Sequence, residues 1–435
     1  MTEIKERVAA PDMAELVRTW ARIGCLSFGG PAGQIAMMHK VLVDEKRWLS
    51  EETYLSALNF CMLLPGPEAM QLATYSGWRL HGIRGGLVAG LLFVLPGALL
   101  MLALALAYAA FGKLPLAEAL FVGVKAAVLA IVVEALLRIA RRALKRRTDW
   151  LIAAVAFLAI FLLAVPFPLI VLAAEIVGYL RMPQGSREAS AAVATAPAVP
   201  LISTLSTIAV WLLIWIVPLV LIAMAFGREH VLAEAAWFFS KLAVVTFGGA
   251  YAVLAYMAQD VVQHYGWLQP GEMLDALGLA ETTPGPLILV NEFVATVTAW
   301  RHGGGNPVLM GCLGAFVALW ATFAPCFLWI FSGAPWIERL NAEPRLKSAL
   351  AAITAAVVGV VLNLTVWFAL HVLFANVEDR AVGPLLLHVP QLSSVRWEAL
   401  LLSALAFVLL FALHRGIAAT LGICGALALA LHWAG

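Results

Sequence analysis

The chain reads as an all-α polytopic membrane protein made of two homologous inverted-topology repeats of about six segments each, joined by an extra helix. Three observations predict this. Its 435 residues are 63% hydrophobic and only 12% charged, against about 25% charged in soluble domains. Whole stretches, Gly85 to Gly112 and Gly303 to Ile337, carry no charge, and about 20 apolar residues cross a bilayer as a helix. The chain also repeats itself. Phe28-Gly29-Gly30 returns as Phe247-Gly248-Gly249, Trp48 as Trp267, and Pro65-Gly66-Pro67 as Pro284-Gly285-Pro286, at one offset (247 − 28 = 267 − 48 = 284 − 65 = 219). Doubling with Gly/Pro breaks at matching places is the sequence mark of a transporter and its binding site.

The elements follow in order. Apolar segments fall near 14–40, 52–78, 86–111, 116–138, 149–165 and 168–181, and again near 232–258, 270–298, 306–332, 347–374, 397–414 and 416–433. A first repeat is expected over 1–182 and a second over 231–435, with a linker plus an extra transmembrane helix over 183–230. The stretch 183–200 is rich in Ala, Pro and Ser and reads as a flexible linker. The polar start at Met1–Arg7 reads as no removable signal peptide. After Trp300 the offset grows to 229, so that Pro96 matches Pro325 (325 − 96 = 229) and Glu134 falls opposite Asn363 (363 − 134 = 229).

Six crossings and then one turn the second half upside down. With the N-terminus in the cytoplasm, Arg79, Arg84, the Arg138–Arg147 cluster, Arg181, Arg339, Arg345 and Lys347 all fall in cytoplasmic loops, as the positive-inside rule requires, while Lys46 and Arg47 break it. The loop Phe374 to Arg396 falls outside.

The segments 14–40 and 52–78, and their partners, are broken or re-entrant helices. Gly29, Gly30, Pro31 and Gly33 interrupt the first, and Pro65-Gly66-Pro67 the second. Proline inside a helix costs about 3 kcal/mol and glycine roughly 1 kcal/mol. Irregular backbone at membrane depth survives only inside protein or along a cavity. A restarted helix presents free N–H groups and a positive dipole end, which attract anions, and Pro31 and Pro67 suit its first position.

Cations accompany the breaks. Arg22 and Lys241 each stand six residues before the motif phenylalanine (28 − 22 = 247 − 241 = 6), and Ser27 and Thr246 one residue before it. A fixed cation, amide donors and a hydroxyl are what a tetrahedral oxyanion needs. Snorkelling of the two cations to the interface is the alternative. Gln34, Gln71, Thr283 and Asn291 are neutral polar groups near the breaks. Glu68 carries a proton or caps the helix after the first Pro-Gly-Pro. Lys125 and Glu134 lie on opposite helix faces, whereas Glu134 and Arg138 are spaced to pair. Trp78, Trp150, Trp211, Trp267, Trp300 and Trp397 lie near segment ends and read as interface anchors.

Other chemistries find no support. Cys25, Cys61, Cys312, Cys326 and Cys424 sit singly in apolar segments, so no metal or disulfide is expected. The net charge of +2 and one basic cluster beside an apolar segment give no reason to expect nucleic acid. No catalytic triad, metalloprotease motif or phosphate-binding P-loop occurs, so neither an enzyme nor a cofactor is expected.

Ser27-Phe28-Gly29-Gly30-Pro31-Ala32-Gly33-Gln34, Leu64-Pro65-Gly66-Pro67-Glu68-Ala69 and Gly85-Gly86-Leu87 through Leu95-Pro96-Gly97 resemble the first domain of the chromate ion transporter family. Thr246-Phe247-Gly248-Gly249-Ala250-Tyr251 and Thr282-Thr283-Pro284-Gly285-Pro286-Leu287 resemble its second domain. The resemblance covers most of the chain apart from the linker and the final segments. It implies a two-domain exporter of chromate in the bacterial inner membrane that confers resistance, with the motif residues lining its path. It also implies a neutral glutamine where Glu292 stands. The expected partners are chromate or a similar oxyanion and the lipid bilayer, with a homodimer left open. Sulfate transport and lipid-phosphate carriage stay open as alternatives.

Overall fold

The computed structural model describes residues 11–28, 30–181, 201–247, 250–337, 340, 343–383 and 385–434. Gly29, Gly248 and Gly249 of the glycine motifs, and the linker 183–200, lie outside the described residues.

The first seven helices are α1 (Met13–Leu26), α2 (Gly30–His39), α3 (Glu51–Leu63), α4 (Glu68–Phe111), α5 (Pro115–Ala143), α6 (Arg147–Leu163) and α7 (Phe167–Leu180). α8 (Leu201–Phe226) follows. Then come α9 (Val231–Val245), α10 (Ala250–Gln259), α11 (Pro270–Thr282), α12 (Val290–His302), α13 (Pro307–Gly333) and α14 (Pro344–Leu373). A hairpin of β1 (Val377–Val382) and β2 (Leu385–Pro390) precedes α15 (Trp397–Phe407) and α16 (Ile417–Ala434). Among the described residues, five helices, α4, α5, α8, α13 and α14, are long and apolar enough to cross a membrane. The protein is an all-α polytopic membrane protein with one small hairpin.

Caps explain several boundaries. Asp12 accepts from the Glu15 amide at the start of α1, and Asn306 from the Leu309 amide at the start of α13. Proline opens α5, α11, α13 and α14, where its missing N–H costs nothing. α4 is two limbs. His81 and Gly82 leave helical dihedrals, and the limbs close so tightly that a Cβ on Gly77 would lie 2.2 Å from the Gly85 carbonyl oxygen. The apolar segments 52–78 and 86–111 thus meet in one tight hairpin. α12 and α13 form the matching one, where a Cβ on Gly314 would lie 2.4 Å from the Ala295 oxygen. Small residues let helix backbones approach this closely.

The backbone recurs along with the motifs. Six of the left-handed residues fall in matched pairs: Arg47 (φ 53°) and Gly266 (φ 62°), Gly66 (φ 116°) and Gly285 (φ 89°), Ala164 (φ 48°) and His414 (φ 49°). The Lys46 amide donates to Val41 O at 2.9 Å, as the Tyr265 amide does to Asp260 O. Packing exchanges partners between the halves. α14 packs on α6 and α7, while α5 packs on α15 and α16, and α5 and α14 pack on each other.

Two expectations need correction. The span 374–396 is not a plain loop. Its strands pair antiparallel from Val377↔Pro390 to Val382↔Leu385. Outside the membrane segments, the Arg380 guanidinium and the Gln391 amide hold the Glu378 carboxyl below its usual range. Of the six tryptophans read as anchors, Trp150 and Trp397 are exposed, but Trp211 and Trp267 are buried. Trp211 stacks on Phe327, and Trp267 packs against Phe238 and Tyr265. Segment ends in sequence are not surface positions when a neighbouring helix covers them.

Candidate functional site

The four helix breaks meet in two crossed pairs. Ser27 ends α1 and Thr246 ends α9. The Gly285 amide donates to Ser27 O, and the Gly66 amide donates to Thr246 O, each at 2.9 Å. Each glycine break therefore binds the Pro-Gly-Pro of the opposite half. Only glycine adopts the φ of 116° and 89° at these turns without strain. Side chains consolidate the crossing. Gln34 donates its amide to Gly285 O at 2.5 Å and leans on Ser27 O at 3.4 Å, and Gln71 donates to Pro65 O at 2.6 Å.

These bonds revise what the broken helices offer a ligand. The amides of Gly66 and Gly285 are occupied by the opposite half and are not open anion donors. Ser27 and Thr246 spend their hydroxyl protons on the carbonyls of Ile23 and Leu242, each at 2.5 Å, and Thr283 donates to Ala280 O at 3.1 Å. Pro31 lies in the first turn of α2, as expected, but Pro67 precedes the first helical residue of α4, Glu68. Gly33 packs against the Phe28 carbonyl. Pro284 and Pro286 are buried, and Pro65 and Glu68 are half-buried. Asn291 donates to Thr322 Oγ1 at 3.1 Å, and Glu292 is buried with both carboxylate oxygens unpartnered.

The two symmetric cations have different surroundings. Arg22 is exposed on α1. Lys241 lies 3.7 Å from Asp260 Oδ2 and over the rings of Phe238 and Tyr256. Its charge is engaged within the second half.

A different set of charges reaches the breaks. A cavity of about 590 Å³ is lined by Phe28, by Glu134 and Arg138 of α5, by Glu281 and Thr282 of α11, and by Leu410 and His414 to Ala418 at the α15–α16 turn. Arg138 pairs with Glu134 at 2.5 Å, the local pairing the sequence predicts. Glu281 accepts from the Tyr251 hydroxyl at 2.7 Å, and a Cβ on Gly30 would stand 4.0 Å from that hydroxyl. Arg415 makes no ion pair among the described residues. The cavity thus brings two guanidinium groups and His414 to the first glycine break, with Glu134 and Glu281 as the opposing acids. Guanidinium forks suit tetrahedral oxyanions. The sequence marks Arg138 as a partner of Glu134 and as the head of a cytoplasmic basic cluster, and gives no sign of Arg415 at the breaks, because α5 and α16 meet through long-range packing.

A second buried cluster joins the halves. Lys125 of α5 lies 3.4 Å from Asp275 Oδ2 of α11, and Tyr108 of α4 donates to the same oxygen at 2.8 Å. Nearby, Arg301 grips both oxygens of Glu272, at 3.0 and 2.7 Å.

A family model described as chromate transporter matches residues 14–179 and 233–430. The chain is 32% identical over 392 residues to a chromate transport protein of Pseudomonas aeruginosa, across 88% of this chain and 87% of the relative. It is 30% identical over 364 residues to a chromate transport protein of Cupriavidus metallidurans, across 82% of each. No solved structure matches it. The two matched stretches contain both glycine breaks, both Pro-Gly-Pro turns and the arginines of the cavity, and the chain belongs to the chromate transporter family.

Proposed function

We propose that this chain is a secondary transporter of the bacterial inner membrane that exports chromate from the cytoplasm and so confers chromate resistance. Its N-terminus is cytoplasmic, and 1–182 and 231–435 are inverted repeats that rock against each other. The observation that carries the reading is the cavity of about 590 Å³, where Arg138 and Arg415 stand beside the broken backbone at Phe28. Arg138 heads the run Arg141, Arg142, Lys145, Arg146 and Arg147, so this cavity faces the cytoplasm under the positive-inside rule. A dianion entering there meets the Arg415 guanidinium, which makes no ion pair among the described residues, and the Arg138 guanidinium, which it would share with Glu134. Arg138 and Arg415 provide the attraction, in place of the expected Arg22 and Lys241, and the crossed breaks with Gln34, Gln71 and Asn291 frame the passage. An inside-negative potential drives a dianion outward with about 2.3 kcal/mol per charge per 100 mV.

Everted vesicles test this with radioactive chromate, and with sulfate as competitor. Loss of one charged hydrogen bond costs about 1.5–3 kcal/mol, so Arg138→Gln and Arg415→Gln are each expected to lower uptake about tenfold to a hundredfold. Undiminished uptake by both variants at equal expression removes the cavity from the path. Accumulation of sulfate without chromate reassigns the substrate.

A further inference from the structure

A second cavity repeats the walls of the first without its charges. Four residues of the first cavity, Glu134, Arg138, Leu410 and His414, have counterparts Asn363, Trp367, Ile160 and Ala164 (363 − 134 = 367 − 138 = 229; 410 − 160 = 414 − 164 = 250). All four counterparts line a cavity enclosed by α6, α10, α14 and β2. The backbone corroborates the match. His414 and Ala164 share a left-handed φ of 49° and 48°, and the Arg415 amide donates to Leu409 O at 2.8 Å as the Val165 amide does to Ala159 O at 3.1 Å.

The two cavities differ in state. The second encloses about 20 Å³, room for about one water and far too little for a tetrahedral oxyanion. The cause is visible in the packing. α10 lies along α14, whereas α2 makes no comparable contact with α5. His388 of β2 completes the closed wall, edge-on to Phe161 with ring centroids 5.6 Å apart. The polar lining that remains, Gln259, Gln263, Asn363 and His388, carries amide and imidazole N–H groups and no fixed cation. Such groups solvate an oxyanion by hydrogen bonds without holding it by charge.

We infer that this second cavity is the oxyanion's release vestibule, opening on the opposite face of the membrane from the first when α10 swings away from α14. The inference rests on the first cavity being the anion's entrance. In the present conformation the charged vestibule is open and the neutral one shut. Trp367 in place of Arg138, and no lining counterpart of Arg415, leave the release side without a fixed cation and so weak in affinity by composition.

Two measurements on the full-length protein test this. The first is sidedness of labelling in oriented vesicles with a membrane-impermeant maleimide. It uses a Cys25→Ser background, since Cys25 is the exposed thiol among the described residues. His414→Cys and Gln263→Cys are expected to label from opposite faces, and labelling from the same face overturns the inference. The second compares Asn363→Asp with Asn363→Gln. A carboxylate placed in the release path repels the anion there, so Asn363→Asp is expected to lower radiochromate transport about tenfold while equilibrium binding in detergent stays within about twofold of the parent. Asn363→Gln, which keeps the neutral amide, is expected to lower transport less than Asn363→Asp does. Transport by Asn363→Asp at the parent rate, or loss of binding together with transport in both variants, overturns it. The labelling arm uses no substrate, so it judges the two vestibules even where the parent protein proves not to bind chromate.

Discussion

Lys125, Asp275 and Tyr108 show how far one residue's meaning depends on a distant partner. The side chain of Asp275 is 5% exposed, and its charge is met from α5 and α4. Removing one member of a buried pair strands the other, at about 3–5 kcal/mol, whereas replacing both by apolar groups of similar volume is near neutral. Lys125→Met is therefore expected to lower the melting temperature in detergent sharply, and Lys125→Met/Asp275→Leu to recover most of it. Equal melting of the single variant and the parent would show that the pair is solvated. In the sequence, Lys125 and Glu134 lie nine residues apart on opposite faces of one helix, which excludes that pair. Glu134 and Arg138 were legible because helical spacing alone joins them. Arg415 and Asp275 were not, since nothing local announces a partner more than a hundred residues away.

At the scale of elements, the breaks were the readable part. Glycine and proline interrupt apolar runs in plain sight, and matched offsets placed them in both halves. What they bind was not readable. The Pro-Gly-Pro amides looked like open donors, yet each is taken by the opposite half. The hairpin escaped notice because Glu378, Asp379 and Arg380 obscure the alternation of its first strand, although Gly383-Pro384 is a turn signal. Close packing of α4 on the second Pro-Gly-Pro gives a sharp expectation. A Cβ on Gly97 would lie 2.1 Å from Pro284 O, a backbone atom that cannot yield cheaply. Gly97→Ala should destabilise the protein more than Gly66→Ala, whose backbone strain is about 1–3 kcal/mol and whose nearest clash is a side-chain atom, the Gln71 amide at 2.8 Å. Thermal unfolding followed by size-exclusion chromatography ranks the two, and the reverse order would mean that α4 sits more loosely on the turn.

Across the whole molecule, the halves are interlocked. α5 carries the last two helices of the second half, and α14 the last two of the first. Sequence suggested inversion through the placement of arginines and lysines, but the exchange of partners left no mark in it, because apolar faces that swap neighbours look the same as faces that do not. An inverted duplication would make the α5–α6 connection and the hairpin equivalent places on opposite faces. Reporter fusions within Ala143–Arg147 and within Asn376–Gln391 should accordingly give opposite cytoplasmic and external signals. Matching signals would refute an antiparallel duplication while leaving the repeat itself intact.

The crossed bonds Gly66–Thr246 and Gly285–Ser27 have one more consequence. Unmade hydrogen bonds away from water cost several kcal/mol each, so the proposed rocking of the halves would leave this seam fastened. A seam pinned at its centre acts as a fulcrum. If the two halves rock as proposed, opening one end would lever the other shut, and the backbone itself would guard against a continuous leak through the bilayer.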